Sequence, residues 1–182
     1  MLKRQQEDKE QRRREDNARK AKTFADQEFP GEKWKEVSDG IYVSPRKPVG
    51  EKSSYKAEKR NADILRSFGS TIYLVPDDSR APGNKYDAIV NGMKMEFKQV
   101  GGNANTLQTQ FLKSRSQAQN VFINLETSKL TKSEAITALH GARNNPRYAT
   151  KNKFKGGRII LKITGQVNLI YLNIDSLKTK KK

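Results

Sequence analysis

The stretch KYDAIVNGMKMEFKQV, residues 85–100, decides how this chain is read. Two short apolar runs, residues 86–90 and 93–100, are joined by Asn91-Gly92. Both residues tolerate the positive φ that a two-residue type I′ hairpin turn requires. With Asn91 and Gly92 as the loop, Val90 faces Met93, Ile89 faces Lys94, Ala88 faces Met95 and Asp87 falls opposite Glu96. Side chains two apart on a strand share a face, so Lys98 joins the two carboxylates. Two acids opposed across a ladder repel, and one ammonium relieves only part of that repulsion. A divalent cation, Mg²⁺ or Mn²⁺, held by Asp87 and Glu96 would compensate, because hard cations take carboxylate oxygens and leave positions open for water and a phosphate. The simpler reading is a surface hairpin with cross-strand charges.

Working outward, Ser54 is placed to cap a helix in which Ala57, Asn61, Ile64 and Phe68 recur at helical spacing, widened by Ala62 and Leu65 and stopped by Gly69. Glu58 lies at the edge of that stripe, an unfavourable place for a carboxylate unless it is paired, for example with Lys59, or ligating. Residues 71–75 read as a strand and residues 76–84 as a turn-rich loop in which Asp77 and Asp78 shape turns. After the hairpin, Thr106 is the expected cap of a helix over residues 107–120. That helix turns Leu107, Phe111, Leu112 and Ala118 inward and Gln108, Lys113, Arg115 and Gln117 outward. The run VFINL, residues 121–125, reads as a strand buried on both faces. The resulting order is helix, three strands, helix, strand.

This order and the spacing of Asp87, Glu96 and Lys98 resemble the PD-(D/E)xK nucleases of the restriction-endonuclease-like class. Asp87 stands as the first acid and Glu96-Phe97-Lys98 as the ExK, with Tyr86 where the motif has proline. Glu58 matches the acid that such enzymes carry on the helix before the first strand. The fold so implied is α/β (α+β): an αβββαβ core with a mixed central sheet, an extra C-terminal helix and β-hairpin, and an N-terminal charged helical arm. NADILRSFGSTIYLV (residues 61–75), the stretch at 85–100 and SRSQAQNVFINLE (residues 114–126) are further similar to the carboxyl-terminal tRNase domains of contact-dependent growth-inhibition and related polymorphic toxins. That resemblance implies catalytic roles for Asp87, Glu96 and Lys98, with Glu58 and Gln99 as further members. It also implies RNA, tRNA ahead of DNA, as substrate, and an acidic immunity protein as partner. Action in the bacterial cytoplasm after delivery from another cell follows from it too. A phage or mobile-element DNA endonuclease of the resolvase kind and a non-catalytic nucleic-acid-binding protein are the alternatives.

Composition agrees with a polyanionic partner. The chain of 182 residues carries a net charge of +17, and residues 129–182 hold thirteen Lys/Arg against Glu134 and Asp175. The segment at 143–158 contains Arg143, Arg147, Lys151, Lys153, Lys155 and Arg158 with Tyr148 and Phe154 interleaved. Cations for phosphates and rings for unstacked bases suit a single-stranded or looped ligand. With Lys113 and Arg115, these residues and Tyr148 form the expected nucleic-acid-binding set. His140, the lone histidine, falls in the last turn of a helix starting at Thr131, where a cation is favourable; a role as RNA-cleaving base is the alternative.

Residues 1–28 hold nine Lys/Arg and seven Asp/Glu with almost no apolar stripe, so a solvated arm without a core of its own is expected. The expected division is an arm at 1–30, a linker with one short strand at 31–53, the nuclease domain at 54–177 and a basic tail at 178–182. Cysteine is absent, which excludes disulfides and thiolate metal sites. No apolar run reaches membrane-spanning length, and the charged start lacks a signal peptide's apolar segment.

Overall fold

A computed structural model describes residues 2–50, 54–77, 86–145 and 156–177 of the chain. It forms two compact units, one from residues 1–79 and 87–94 and the other from residues 80–86 and 95–182. These boundaries differ from the expected arm, linker and nuclease domain, because the segments at 1–30 and 31–53 supply structure to the first unit.

That first unit opens with α1 (Leu2–Glu28). Its early turns are solvated and laced by ion pairs such as Glu10–Arg14 at 2.8 Å and Lys22–Asp26 at 2.6 Å. The expectation of an arm without a core fails in the last turns, where Ala21 and Ala25 are fully buried and the helix packs on β3 and β4 (Ile72–Leu74 and Ala88–Val90). Alanine, having no side chain beyond Cβ, lets a helix lie close against a sheet. The expected linker holds two strands, β1 (Lys35–Ser38) and β2 (Ile41–Val43). The strands follow chain order: β1 is antiparallel to β2, β2 parallel to β3 and β3 antiparallel to β4.

A parallel pair requires a crossover, and α2 (Tyr55–Ser67) supplies it, packing on β2 and β3 with Asn61, Ala62 and Leu65 buried. Phe29, Trp34, Tyr73 and Tyr42 form a chain of ring contacts with centroids 5.7, 5.1 and 4.6 Å apart in turn, the first two edge-to-face and the Tyr73–Tyr42 pair stacked.

The Asn91-Gly92 turn takes the conformation its residues favour, with φ of +50° and +81°. Asn91 is also tied by its side chain, accepting from the Thr71 amide at 2.8 Å and donating to the Ser70 hydroxyl at 3.2 Å. The chain enters the second unit inside β5 (Met93–Gln99).

There β5, β6 (Asn120–Leu125) and β7 (Arg158–Ile163) run parallel, and β8 (Ile170–Asn173) returns antiparallel before a 3₁₀ turn at Ile174–Leu177. The crossovers are α3 (Ala104–Ser114) and α4 (Lys132–Asn144), packed on each other. Leu107, Phe111, Leu139, Ile123 and Leu161 lie at the centre of this unit's core, all without solvent exposure.

Over residues 55–125 the element order is the expected helix, three strands, helix, strand, and the strand pairings are mixed. Two helix boundaries differ. Asn103, not Thr106, caps α3, its carbonyl oxygen accepting from the amides of Asn105 and Thr106. The helix ends at Ser114, six residues before the expected Asn120, and Ser116, Gln117 and Ala118 close on the carbonyls of Lys113 and Ser114 in tight turns. For α4, Thr131 and Glu134 form a reciprocal capping box.

Candidate active site

In the first unit the buried charges gather around Lys47. The turn in which the Lys47 amide donates to the Ser44 carbonyl at 3.0 Å carries its side chain inward. The ammonium there has three partners: Glu58 Oε2 at 2.5 Å, Asp77 Oδ1 at 2.6 Å and the Val75 carbonyl at 3.0 Å. It donates hydrogen bonds to Asp77 and Val75 and forms an ion pair with Glu58. Burial pulls the Lys47 pKa down, but Glu58 and then Asp77 outweigh it, so the net shift is upward. Glu58 is 5% exposed, and its Oε1 accepts from the Ser54 hydroxyl. Ser54 therefore occupies the N-cap position of α2 without capping by its side chain, since its backbone is already helical at φ −66°, ψ −12°.

Lys47, rather than Lys59, is the partner of Glu58; Lys59 pairs with Asp63. Val75 links this cluster to Asp87, for its amide donates to the Asp87 carbonyl at 3.1 Å while its own carbonyl takes the Lys47 ammonium. Asp77 thus serves the ion cluster, and Asp78 lies outside the described residues.

In the second unit, Glu96 and Lys98 share one face of β5. Glu96 is 1% exposed and its Oε1 accepts from the Lys98 ammonium. Lys98 also donates to Gln117 Oε1 at 3.2 Å. Phe97 alternates to the opposite face and packs edge-on against Phe122. Gln99 follows Phe97 to that face and is exposed, so it is not gathered with Glu96 and Lys98.

The expected nucleic-acid-binding residues separate. Lys113 and Arg158 are exposed and Arg143 is half-buried. Arg115 is 8% exposed, which corrects its placement on an outward helical face. Its backbone is still helical, with its amide donating to the Phe111 carbonyl, and it falls four and eight residues after Phe111 and Leu107, so helical periodicity puts it on their inward face. Its guanidinium instead donates to the carbonyls of Ala118, Gln119 and Gly156. Burial first, and Arg143 second, push its pKa down to about 10, opposed by Asp175. Arg147, Tyr148, Lys151, Lys153, Lys155 and the tail at 178–182 lie outside the described residues. His140 is exposed in the last turn of α4.

Sequence reasoning missed Lys47 and Gln117. A lysine between Pro45 and Pro48 and a glutamine after a helix carry no pattern that marks them; their partners are 11, 30 and 19 positions away in sequence.

Among the described residues no group of three or more His, Cys, Asp or Glu could hold a metal ion. Each of the two buried glutamates has a lysine ammonium as its counter-ion instead.

Residues 85–162 match the family model described as the contact-dependent growth inhibition CdiA C-terminal domain. The fold is similar to a chain in the CdiA-CT/CdiI toxin and immunity complex from Burkholderia pseudomallei, with a TM-score of 0.51 and 19% sequence identity over 71% of this chain and 97% of that one. No curated protein matches the chain. These likenesses define the class of fold, a mixed α/β architecture shared with that complex. The matched residues include Asp87, Glu96, Lys98 and Gln117, and no helix among the described residues is long and apolar enough to cross a membrane.

Proposed function

We propose that the chain is a nuclease toxin domain of contact-dependent growth inhibition that cleaves phosphodiester bonds of RNA, with tRNA preferred to DNA. The observation that carries this reading is the pair formed on β5 by the buried Glu96 carboxylate and the half-buried Lys98 ammonium, inside the stretch similar to the CdiA C-terminal family. Burying a carboxylate is expensive, and pairing it with an ammonium adds little net stability over apolar packing. A carboxylate and an ammonium held on one strand face suit the charge that develops on a cleaved phosphate. The Lys98 ammonium would stabilise that charge, as preorganised donors do in a site shielded from water. Glu96 would hold the ammonium and take a proton from the attacking hydroxyl, either a water or the ribose 2′-hydroxyl. The net charge of +17 and the segment at 143–158 would bring the polyanion to it. Catalytic roles for Asp87 and Glu58 belong to the same proposal.

The αβββαβ order and the Asp87, Glu96, Lys98 spacing support a PD-(D/E)xK, restriction-endonuclease-like assignment within this proposal. Mg²⁺ or Mn²⁺ is the cofactor proposed with it, and no step depends on it. By extension from the toxin and immunity complex of similar fold, an acidic immunity protein is the proposed partner, and the cytoplasm of a target bacterium the place of action.

The test incubates the chain and its Glu96→Ala variant with total tRNA and with linear duplex DNA, each with Mg²⁺ and with EDTA. Cleavage of tRNA by the wild type alone is expected, and the EDTA lane decides whether a cation is required. Cleavage of DNA in its place would make the chain a phage or mobile-element type of endonuclease. No cleavage of either would leave a nucleic-acid-binding protein.

A further inference from the structure

Lys98 is a flexible side chain whose ammonium must be held for the chemistry proposed above, and the cost of fixing such a side chain is up to about 2 kcal/mol of rotamer entropy. Glu96 supplies one restraint from the same strand face. The second comes from Gln117, whose Oε1 lies 3.2 Å from the Lys98 ammonium. An ammonium only donates, so the amide must turn its oxygen toward Lys98 and its NH₂ away. No residue among those described accepts from that NH₂.

The position of Gln117 is itself fixed. Its amide donates to the Ser114 carbonyl at 2.9 Å, and the next amide, of Ala118, donates to the same carbonyl at 3.0 Å. Arg115, buried beneath this turn, binds the carbonyls of Ala118 and Gln119 on its far side and that of Gly156. A turn whose backbone and supporting guanidinium are this fully bonded is a rigid mount for one amide.

We infer that Gln117 is a positioning residue for the proposed cleavage: it holds the Lys98 ammonium as a neutral acceptor, leaving that charge for the phosphate, and offers its NH₂ as a further donor to a substrate phosphate oxygen. A carboxylate at this place would hold Lys98 as well but would repel the phosphate. The inference rests on the nuclease reading.

The experiment compares the full-length wild type with Gln117→Asn, Gln117→Met and Gln117→Glu. Measured are single-turnover tRNA cleavage at saturating enzyme, tRNA affinity, melting temperature and the ¹⁵N–¹H NMR signal of the Lys98 ammonium. Gln117→Asn keeps the amide but is one methylene too short to reach Lys98. The Asn and Met variants should lose on the order of 10–100-fold in cleavage rate, as loss of a supporting contact does, with a smaller loss of affinity and melting temperature unchanged. Their Lys98 ammonium signal should broaden through faster exchange. Gln117→Glu should keep that signal yet remain slow. Wild-type cleavage by Gln117→Asn, or a rate that falls only in step with melting temperature in both the Asn and Met variants, would overturn the inference while Glu96→Ala still tests the nuclease reading. A wild type that cleaves no nucleic acid would overturn both.

Discussion

The Lys47 ammonium lies 2.5 Å from Glu58 Oε2, and its side chain has no surface left to solvent. A fully buried cation of this kind is tolerable only because Glu58 and Asp77 both face it. Removing the cation alone strands two acids, so Lys47→Met should destabilise the protein by about 3–5 kcal/mol, whereas the Lys47→Met/Glu58→Gln double variant should lose less. Urea unfolding of the three proteins decides this, and a double variant worse than the single would show that the pairing is not what matters.

The same cluster sets a dependence at high pH. The Lys47 pKa is raised on folding, so its stabilisation is fully present below the ordinary lysine value and is lost as pH rises through the folded one. The stability difference between wild type and Lys47→Met should therefore be flat through neutral pH and shrink only in the strongly alkaline range. A difference that shrinks between pH 6 and about 9, below the ordinary lysine pKa, would contradict this.

Glu96→Gln keeps the shape of a side chain that is 1% exposed. On the proposed chemistry it should lose roughly 100-fold or more in cleavage, the scale of removing one charge-stabilising group, and still bind tRNA. Lys98→Met leaves the Glu96 carboxylate buried without its ammonium, so it should melt lower than the Glu96→Gln/Lys98→Met double variant. Thermal melting read alongside gel assays separates loss of chemistry from loss of fold.

Arg115 and Lys113 should behave oppositely although both are cations near the end of α3. Arg115→Lys withdraws donors from the carbonyls of Ala118, Gln119 and Gly156 and should cost about 1–3 kcal/mol in stability while leaving the salt dependence of tRNA binding unchanged. Lys113→Gln should be neutral in stability. If Lys113 meets a phosphate, that variant should reduce the slope of log affinity against log salt by about 0.7–0.9.

Gly92 sits at φ +81°, and a Cβ there would come within 3.2 Å of the Lys20 carbonyl in α1. Gly92→Ala should therefore cost at least about 1–2 kcal/mol from its left-handed backbone, with the approach to α1 adding to it. Gly165, equally left-handed at φ +73° but with open space around its Cβ position, is the control: Gly165→Ala should show the backbone cost alone.

The local elements were legible because local chemistry sets them. Asn91-Gly92 takes its turn since both residues accept positive φ, the apolar spacing of residues 57–68 makes a helix on any scaffold, and Thr131 with Glu134 caps α4 by side chains three residues apart. Glu58 was legible as a carboxylate at the edge of an apolar stripe, and Glu96 and Lys98 as side chains two apart on one strand face. What neighbours in sequence could not reveal was decided by tertiary structure. Residues 1–28 look solvated in composition, but two alanines suffice to bury the end of α1 where β3 and β4 give it a surface. Arg115, a cation, reads as outward, but it follows Phe111 by four residues on the inward face, where three carbonyls claim its donors. Lys47 and Gln117 carry no local signal at all. A buried charge takes whichever opposite group the fold delivers, and here β2, α2 and the chain after β3 bring Glu58 and Asp77 to Lys47, as the turn after α3 brings Gln117 to Lys98.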